Sequence, residues 1–423
     1  MTDNATMEEG QRRFTLWQEI FMYLATLCAF QLYNYVGFEP RFVHALLYLF
    51  ILCTLFFCAK TCLGTNAPPL FNLMRWIWIV TFFSIFMSWM FCRQGLVLGA
   101  KATAQYLVFI FFFYLCQVRP PIEKMERYIW FFGFLFVLLW IYAASQFPLN
   151  VFGYSEDEEI TDVSRGIERI RGFIGRLSLI FAFFLAINKF YDTKKKIYIL
   201  FAVVFFFVLV MQLGRMLIFS TGIVTIFYVW VRSRGILITI ACILVAAVLS
   251  GLSFMKIDDN SVVGSLINTS EEQYERQKGG REDIRITEYR YMFTEHNRNL
   301  ATNLLGSGYP NANSPYGKYV KRLNSMRMIY FTDVGYGDMY ATTGLIGVLL
   351  YFLLYFKCLK VPLPQHLHYV KLFVLFLIVS NLTSDFYARV DGQIAMSVCV
   401  YIMIAYRAKG EDVRLLNMFK DCQ

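Results

Sequence analysis

The sequence predicts an all-helical membrane protein of about twelve transmembrane helices with one large outer loop. Three observations predict it. Hydrophobic residues make up 57% of the 423 residues and charged residues only 17%. A soluble domain cannot hide that much apolar surface, whereas lipid removes the need to. The apolar residues come in span-length runs separated by short charged connections. One polar stretch, Lys256–Gly335, interrupts that pattern.

The spans centre, in order, near Leu24, Phe50, Phe83, Leu107, Leu138, Phe181, Phe205, Ile223, Ile243, Leu349, Phe376 and Ser397. Residues 1–255 therefore hold nine of them, 256–335 the large loop, and 336–423 the last three with a tail. Met1–Gly10 is polar and acidic and does not read as a cleavable signal peptide. Odd-numbered gaps between spans carry few cations: Arg41, then Arg93 and Lys101, then Arg215, then Arg389. Even-numbered gaps and both ends carry more, as at Arg119, Lys124 and Arg127 or Lys194–Lys196. The positive-inside rule then puts both termini in the cytoplasm and both long loops, about Pro148–Gly172 and Lys256–Gly335, outside. The net charge of +10 follows from this topology, so nucleic-acid binding is rejected.

Cysteines lie in or beside the spans, Cys422 in the tail excepted, and neither outer loop contains one. They read as small apolar core residues, and no disulfide is expected in the loops. Of the four histidines only His296 falls in the large loop, so no metal site and no cofactor is expected. Walker A, dinucleotide, H-E-x-x-H and G-x-S-x-G patterns are absent. The acidic run Glu156–Glu159 reads as a solvated charge run.

Within the large loop, Arg281–Leu304 has no Gly or Pro and repeats apolar residues at helical spacing, so one helix is predicted there. Arg281 and Arg285 share a face, with Glu288 one turn on. Alone, this favours an amphipathic helix lying at the membrane interface, its arginines solvated, over a site. Arg215, in Gly214-Arg215-Met216, and Arg171, in Arg169-Ile170-Arg171-Gly172, stand at the outer mouths of spans. Any one of these arginines can snorkel to head groups. Several on one side, converging on a cavity, are better explained by a bound anion, because guanidinium pairs bidentately with phosphate. Asp333, just before the tenth span, is either a helix cap or a carboxylate that accepts a hydroxyl proton, and spacing does not choose. Glu288 is a second candidate for the acid–base role.

Read together, these motifs resemble the O-antigen polymerase and ligase superfamily of bacterial membrane glycosyltransferases. The resemblance rests on order: Arg171-Gly172, then Gly214-Arg215-Met216-Leu217-Ile218, then Gly280-Arg281, then Leu305-Gly306-Ser307-Gly308, then Asp333 ahead of Gly344-Leu345-Ile346-Gly347. It implies a GT-C-like fold in the bacterial inner membrane. It also implies polymerisation of undecaprenyl-pyrophosphate-linked repeat units into O-antigen, capsule or exopolysaccharide, by metal-independent transfer at the periplasmic face. Ligases tend to carry histidine at the last motif; Asp333 there is similar to polymerases. Ligation to lipid A core and flipping or export of lipid-linked glycans are the alternatives. On the polymerase reading, Arg171, Arg215 and Arg281, helped by Arg285, hold pyrophosphate. Asp333 or Glu288 then serves as base, and Tyr289, Tyr309 and Tyr330 stack on sugars. Membrane lipids and a chain-length regulator are the expected partners.

Overall fold

The computed structural model describes residues 14–30, 40–63, 68–146, 161–162, 169–170, 175–212, 215–232 and 283–410. The first part of the chain forms α1 (Leu16–Ala29), α2 (Pro40–Leu63), α3 (Pro69–Cys92), α4 (Leu96–Thr103), α5 (Ile110–Val118) and α6 (Ile122–Ser145). A two-residue antiparallel pair, β1 (Thr161–Asp162) and β2 (Arg169–Ile170), precedes α7 (Arg176–Thr193), α8 (Ile197–Met211) and α9 (Arg215–Arg232). The polar segment that follows residue 282 supplies α10 (Ile284–Tyr291), α11 (Leu300–Leu305) and α12 (Pro315–Arg327). Then come α13 (Gly335–Lys360), α14 (His368–Ser380) and α15 (Val390–Gly410). Every predicted span centre among the described residues lies in a helical segment, and Ile243 lies outside them.

Four helical stretches are long and apolar enough to cross a membrane: Pro69–Cys92, Leu96–Val118, Ile122–Ser145 and Gly335–Lys360. Their outer faces carry large exposed apolar side chains such as Phe82, Val97, Leu138 and Phe356, which suits lipid and not water. The interior is aromatic. Phe109, Phe111, Phe112 and Phe113 are buried, as are Leu177, Leu185, Val398 and Ile402, so the core lies where α5, α7 and α15 meet.

Two breaks in the spans are repaired by side chains from far away. Between α4 and α5 the chain tightens to a 3-10 turn over Ala104–Phe109. Gln393 on α15 restores its hydrogen bonding: Phe109 N–H donates to Gln393 Oε1 (3.2 Å), and Gln393 Nε2 donates to the Gln105 carbonyl (3.1 Å). In α13 the break is Gly344, at φ 69° and ψ −171°. The kink frees the carbonyls of Ala341 and Thr342, which accept from the N–H groups of Ser307 (2.8 Å) and Gly308 (3.0 Å). Irregular backbone is tolerated in a span only where protein satisfies it. Residues 306–308 and Gly344, read as separate sequence motifs, thus form one joint.

The helix expected over Arg281–Leu304 differs from the sequence expectation. In place of one helix over Arg281–Leu304, α10 runs into a π turn at Met292–His296, and a new helix starts at Leu300. Asn299 caps α11 reciprocally with Thr302. Asn297 Nδ2 donates to the Tyr340 carbonyl on α13 (3.1 Å), which turns the chain away from the α10 axis. Asn299 satisfies the Thr302 N–H that the break frees, and Asn297 gains the Tyr340 carbonyl as a partner.

Candidate functional site

One end of the bundle holds the candidate site residues. There α3 and α14 end, and α7, α13 and α15 begin. Gln94, just past α3, donates through Nε2 to the Tyr309 carbonyl (2.8 Å) and accepts from Asn311 N–H (2.8 Å) and Ser314 Oγ (2.7 Å). Asn381, just past α14, accepts at its carbonyl from Tyr336 N–H (3.2 Å) and at Oδ1 from Tyr387 N–H (3.1 Å). The α7 N-terminus is capped in trans: Asp391 Oδ2 accepts from Gly175 N–H and Leu177 N–H, both at 3.0 Å. These ties fix helix mouths to one another without disulfides, leaving side chains between them aimed inward.

The first cluster is on the rim. Glu288 is fully buried because α10 turns it toward a small apolar core of Tyr291, Met292, Leu323, Ile329, Phe331, Val334 and Ala341. Its Oε1 accepts from Tyr330 N–H (2.9 Å), while Oε2 is buried without a hydrogen-bond partner. Burial pushes its pKa up to about 7; the Tyr330 N–H opposes this, Asp333 adds to it and Arg285 opposes it. Arg285, one turn earlier, has a buried Nε with no partner and acts electrostatically on both Glu288 and Asp333. Asp333 closes a 3-10 turn, with Thr332 Oγ1 3.5 Å from Oδ1. Its pKa is raised by burial, against the pull of Arg285 and Thr332. The helix-cap reading fails on geometry: Val334 is the N-cap of α13 and makes no side-chain cap bond.

The second cluster lines a cavity of about 300 Å³, walled by Lys101, Tyr309, Tyr330, Asp338 and Asp385 among others. Asp338 Oδ2 accepts from Tyr387 Oη (2.8 Å), and its charge interacts with that of Asp385. Asp385 is raised above the usual carboxylate range by burial, with Arg389 and Arg176 pulling it back. Both guanidinium groups sit over the Phe386 ring, 5.9 Å from its centroid.

The expected residues divide as follows. Glu288, Arg285 and Asp333 are together, and Tyr289 joins them, its hydroxyl donating to the Leu382 carbonyl (2.8 Å) and its ring stacked on Phe293. Tyr309 is buried with one ring face against Tyr106 (3.5 Å between centroids), and Tyr330 is exposed at the cavity. Arg171 and Arg281 lie outside the described residues. Arg215 opens α9, and its side chain is likewise outside what is described. Sequence reading did not single out Lys101, Arg176, Asp338, Asp385 or Arg389 as site residues. One signal was available: Asp338 is an ionisable residue at the start of an apolar span, which is costly without a role.

Among known proteins, no family model matches the chain and no curated protein matches it.

Proposed function

We propose that this protein is a membrane glycosyltransferase that polymerises undecaprenyl-pyrophosphate-linked oligosaccharide repeat units at the outer face of the inner membrane. On this reading about twelve spans cross the bilayer, with both termini cytoplasmic. The observation that carries the reading is the cavity at the helix mouths. It combines carboxylates, a lysine and tyrosines, with arginines close by, where an apolar bundle meets the polar loop. A sugar on a lipid diphosphate needs that combination. The lipid tail stays among apolar helices, cations stabilise the leaving diphosphate, and a carboxylate receives the proton of the attacking hydroxyl.

The reaction joins an acceptor hydroxyl to the anomeric carbon of the donor and releases lipid pyrophosphate. Two carboxylates are placed for the proton. Asp333 is on the rim beside Arg285; Asp385 is on the cavity wall, raised by burial and flanked by Arg176 and Arg389. Position favours Asp385, since Asp338 is already held by Tyr387. The pyrophosphate role of Arg171, Arg215 and Arg281 completes the proposal.

The test is reconstitution. Purified protein in lipid, given the lipid-linked repeat unit native to its host, should produce a ladder of glycan lengths. A preparation that binds the substrate yet yields only single units would sink the polymerase reading. Transfer of finished polymer to lipid A core would point to the ligase instead.

A further inference from the structure

A second cavity, of about 360 Å³, lies on the other side of the Ser307–Pro310 segment from the first. Ser307 faces the second cavity, and Tyr309 and Pro310 face the first. Its wall brings together Arg93, just past α3, and Arg298, between the π turn and α11, with His296, Tyr316 and Tyr319. No carboxylate lines it. Neither Arg93 nor Arg298 forms an ion pair among the described residues. The nearest acidic neighbour in sequence, Glu295, is engaged with Arg327 at 3.1 Å.

The wall is built and held. Arg93 takes a left-handed backbone, φ 53°, as the C-cap of α3. Arg298 follows Asn297, whose Oδ1 accepts from Ser307 Oγ (2.7 Å) and whose Nδ2 is tied to α13. His296 Nε2 is 3.0 Å from Tyr316 Oη, and Nδ1 is buried with no partner. Burial and the Arg298 charge push the imidazole down to about 4, so it is neutral at pH 7 and leaves the positive potential to the two arginines.

We infer that this cavity binds the diphosphate of the second lipid-linked substrate, the acceptor, and that the first cavity serves the donor. The inference rests on the polymerase reading, which needs two diphosphate lipids bound at once. Two guanidinium groups from elements far apart in sequence, with no counter-ion among the described residues, suit a doubly charged, multi-oxygen anion. Each presents paired donors that match phosphate oxygens. A neutral histidine on the wall adds a polar contact without repelling a cationic or neutral sugar.

The full-length protein in detergent is titrated with inorganic pyrophosphate at pH 7 while the His296 imidazole signal is followed by NMR; it is assigned with His296→Gln among the four histidines. Saturable movement of that signal is expected, weakened at least ten-fold by Arg93→Gln with Arg298→Gln and unchanged by Lys318→Gln on exposed α12. Partial recovery in Arg93→Lys guards against misfolding. A signal that ignores pyrophosphate, or responds equally in the double variant, overturns the site. Equal response to glucuronate overturns its assignment to diphosphate. In the polymerisation assay the double variant should raise acceptor KM at least ten-fold and leave donor KM alone. Loss of pyrophosphate binding in a protein that makes no polymer keeps the anion site and removes the acceptor assignment.

Discussion

Two carboxylate pairs, Glu288 with Asp333 and Asp338 with Asp385, approach each other in the chain at Asp333 and Asp338 and are held in opposite ways. Glu288 and Asp333 belong to the polar segment before α13, where both interact with the Arg285 charge and Glu288 also accepts from the backbone N–H of Tyr330. Asp338 and Asp385 belong to the helix mouths, where they share a cavity wall; Asp338 accepts from Tyr387, and the Arg389 and Arg176 charges act on Asp385. The rim pair is tuned by a cation on its own helix turn, and its geometry depends on a short loop core. The wall pair is fixed by the ends of α13, α14 and α15, three elements that cannot shift independently. Precision of placement favours the wall pair for chemistry, since a site on rigid elements holds its groups to tighter tolerance than one on loops. Tunability favours the rim pair for responding to pH or to a bound anion.

Asparagine substitution separates the two pairs most sharply. Asp385→Asn keeps shape and loses basicity, so glycosyl transfer should fall by about 100-fold, the low end for loss of a general base. A diphosphate leaving group lowers the demand on that base. Asp333→Asn should cost less than ten-fold. Initial rates of ladder formation, with expression and thermal stability matched, decide it. The reverse order would move the base to the rim and restore Asp333 to the role its sequence position suggests.

Sequence periodicity reached the all-helical class, because apolar run length is a local property. It named Arg285 and Glu288 for a similar reason, as residues on one helix face, and Asp333 separately, as a carboxylate before the next span; their proximity came only with the fold. It did not reach Asp385, which lies in Leu382-Thr383-Ser384-Asp385 and has no local pattern. Its meaning comes from Arg176, more than two hundred residues earlier, and from Asp338 across the mouth. Arg389 counted in sequence only as one charge among the gaps between spans. The break in the predicted Arg281–Leu304 helix was written at Asn299 and Thr302, an N-cap pair three apart, but the propensity of the flanking residues hid it.

Gly344 tests whether the wall pair depends on the α13 joint. Its φ of 69° disfavours any side chain, and an added Cβ would meet the Leu304 carbonyl carbon at 2.4 Å, backbone that cannot swing aside. Gly344→Ala should therefore cost about 2 kcal/mol or more of stability. It should also lower activity by displacing residues 306–309, the segment that carries Tyr309 on the cavity wall. Fluorescence-detected thermal unfolding in detergent gives the first number, and ladder formation well below the melting temperature gives the second. An alanine variant with native stability and native rate would show that the kink is incidental to the wall.

The smallest expected effect belongs to the rim and is read in pH. Glu288 is held at about 7 in the folded protein, above an ordinary value near 4.5, chiefly by burial. Between those values the folded state keeps a proton that the unfolded chain has lost, so stability must fall as pH rises. The contribution is full below about pH 4.5 and is lost as pH passes through 7. Glu288→Gln mimics the protonated form: it can still accept the Tyr330 N–H through its amide oxygen, and it carries no charge to desolvate. Its melting temperature should therefore be a few degrees above wild type at pH 8 and close to it at pH 5, with a flatter profile between. Parallel wild-type and Glu288→Gln profiles would mean that this carboxylate titrates as a solvated one. The rim would then lose its claim to tunability, leaving Arg285 and Asp333 as opposite charges near one another beside the working cavity.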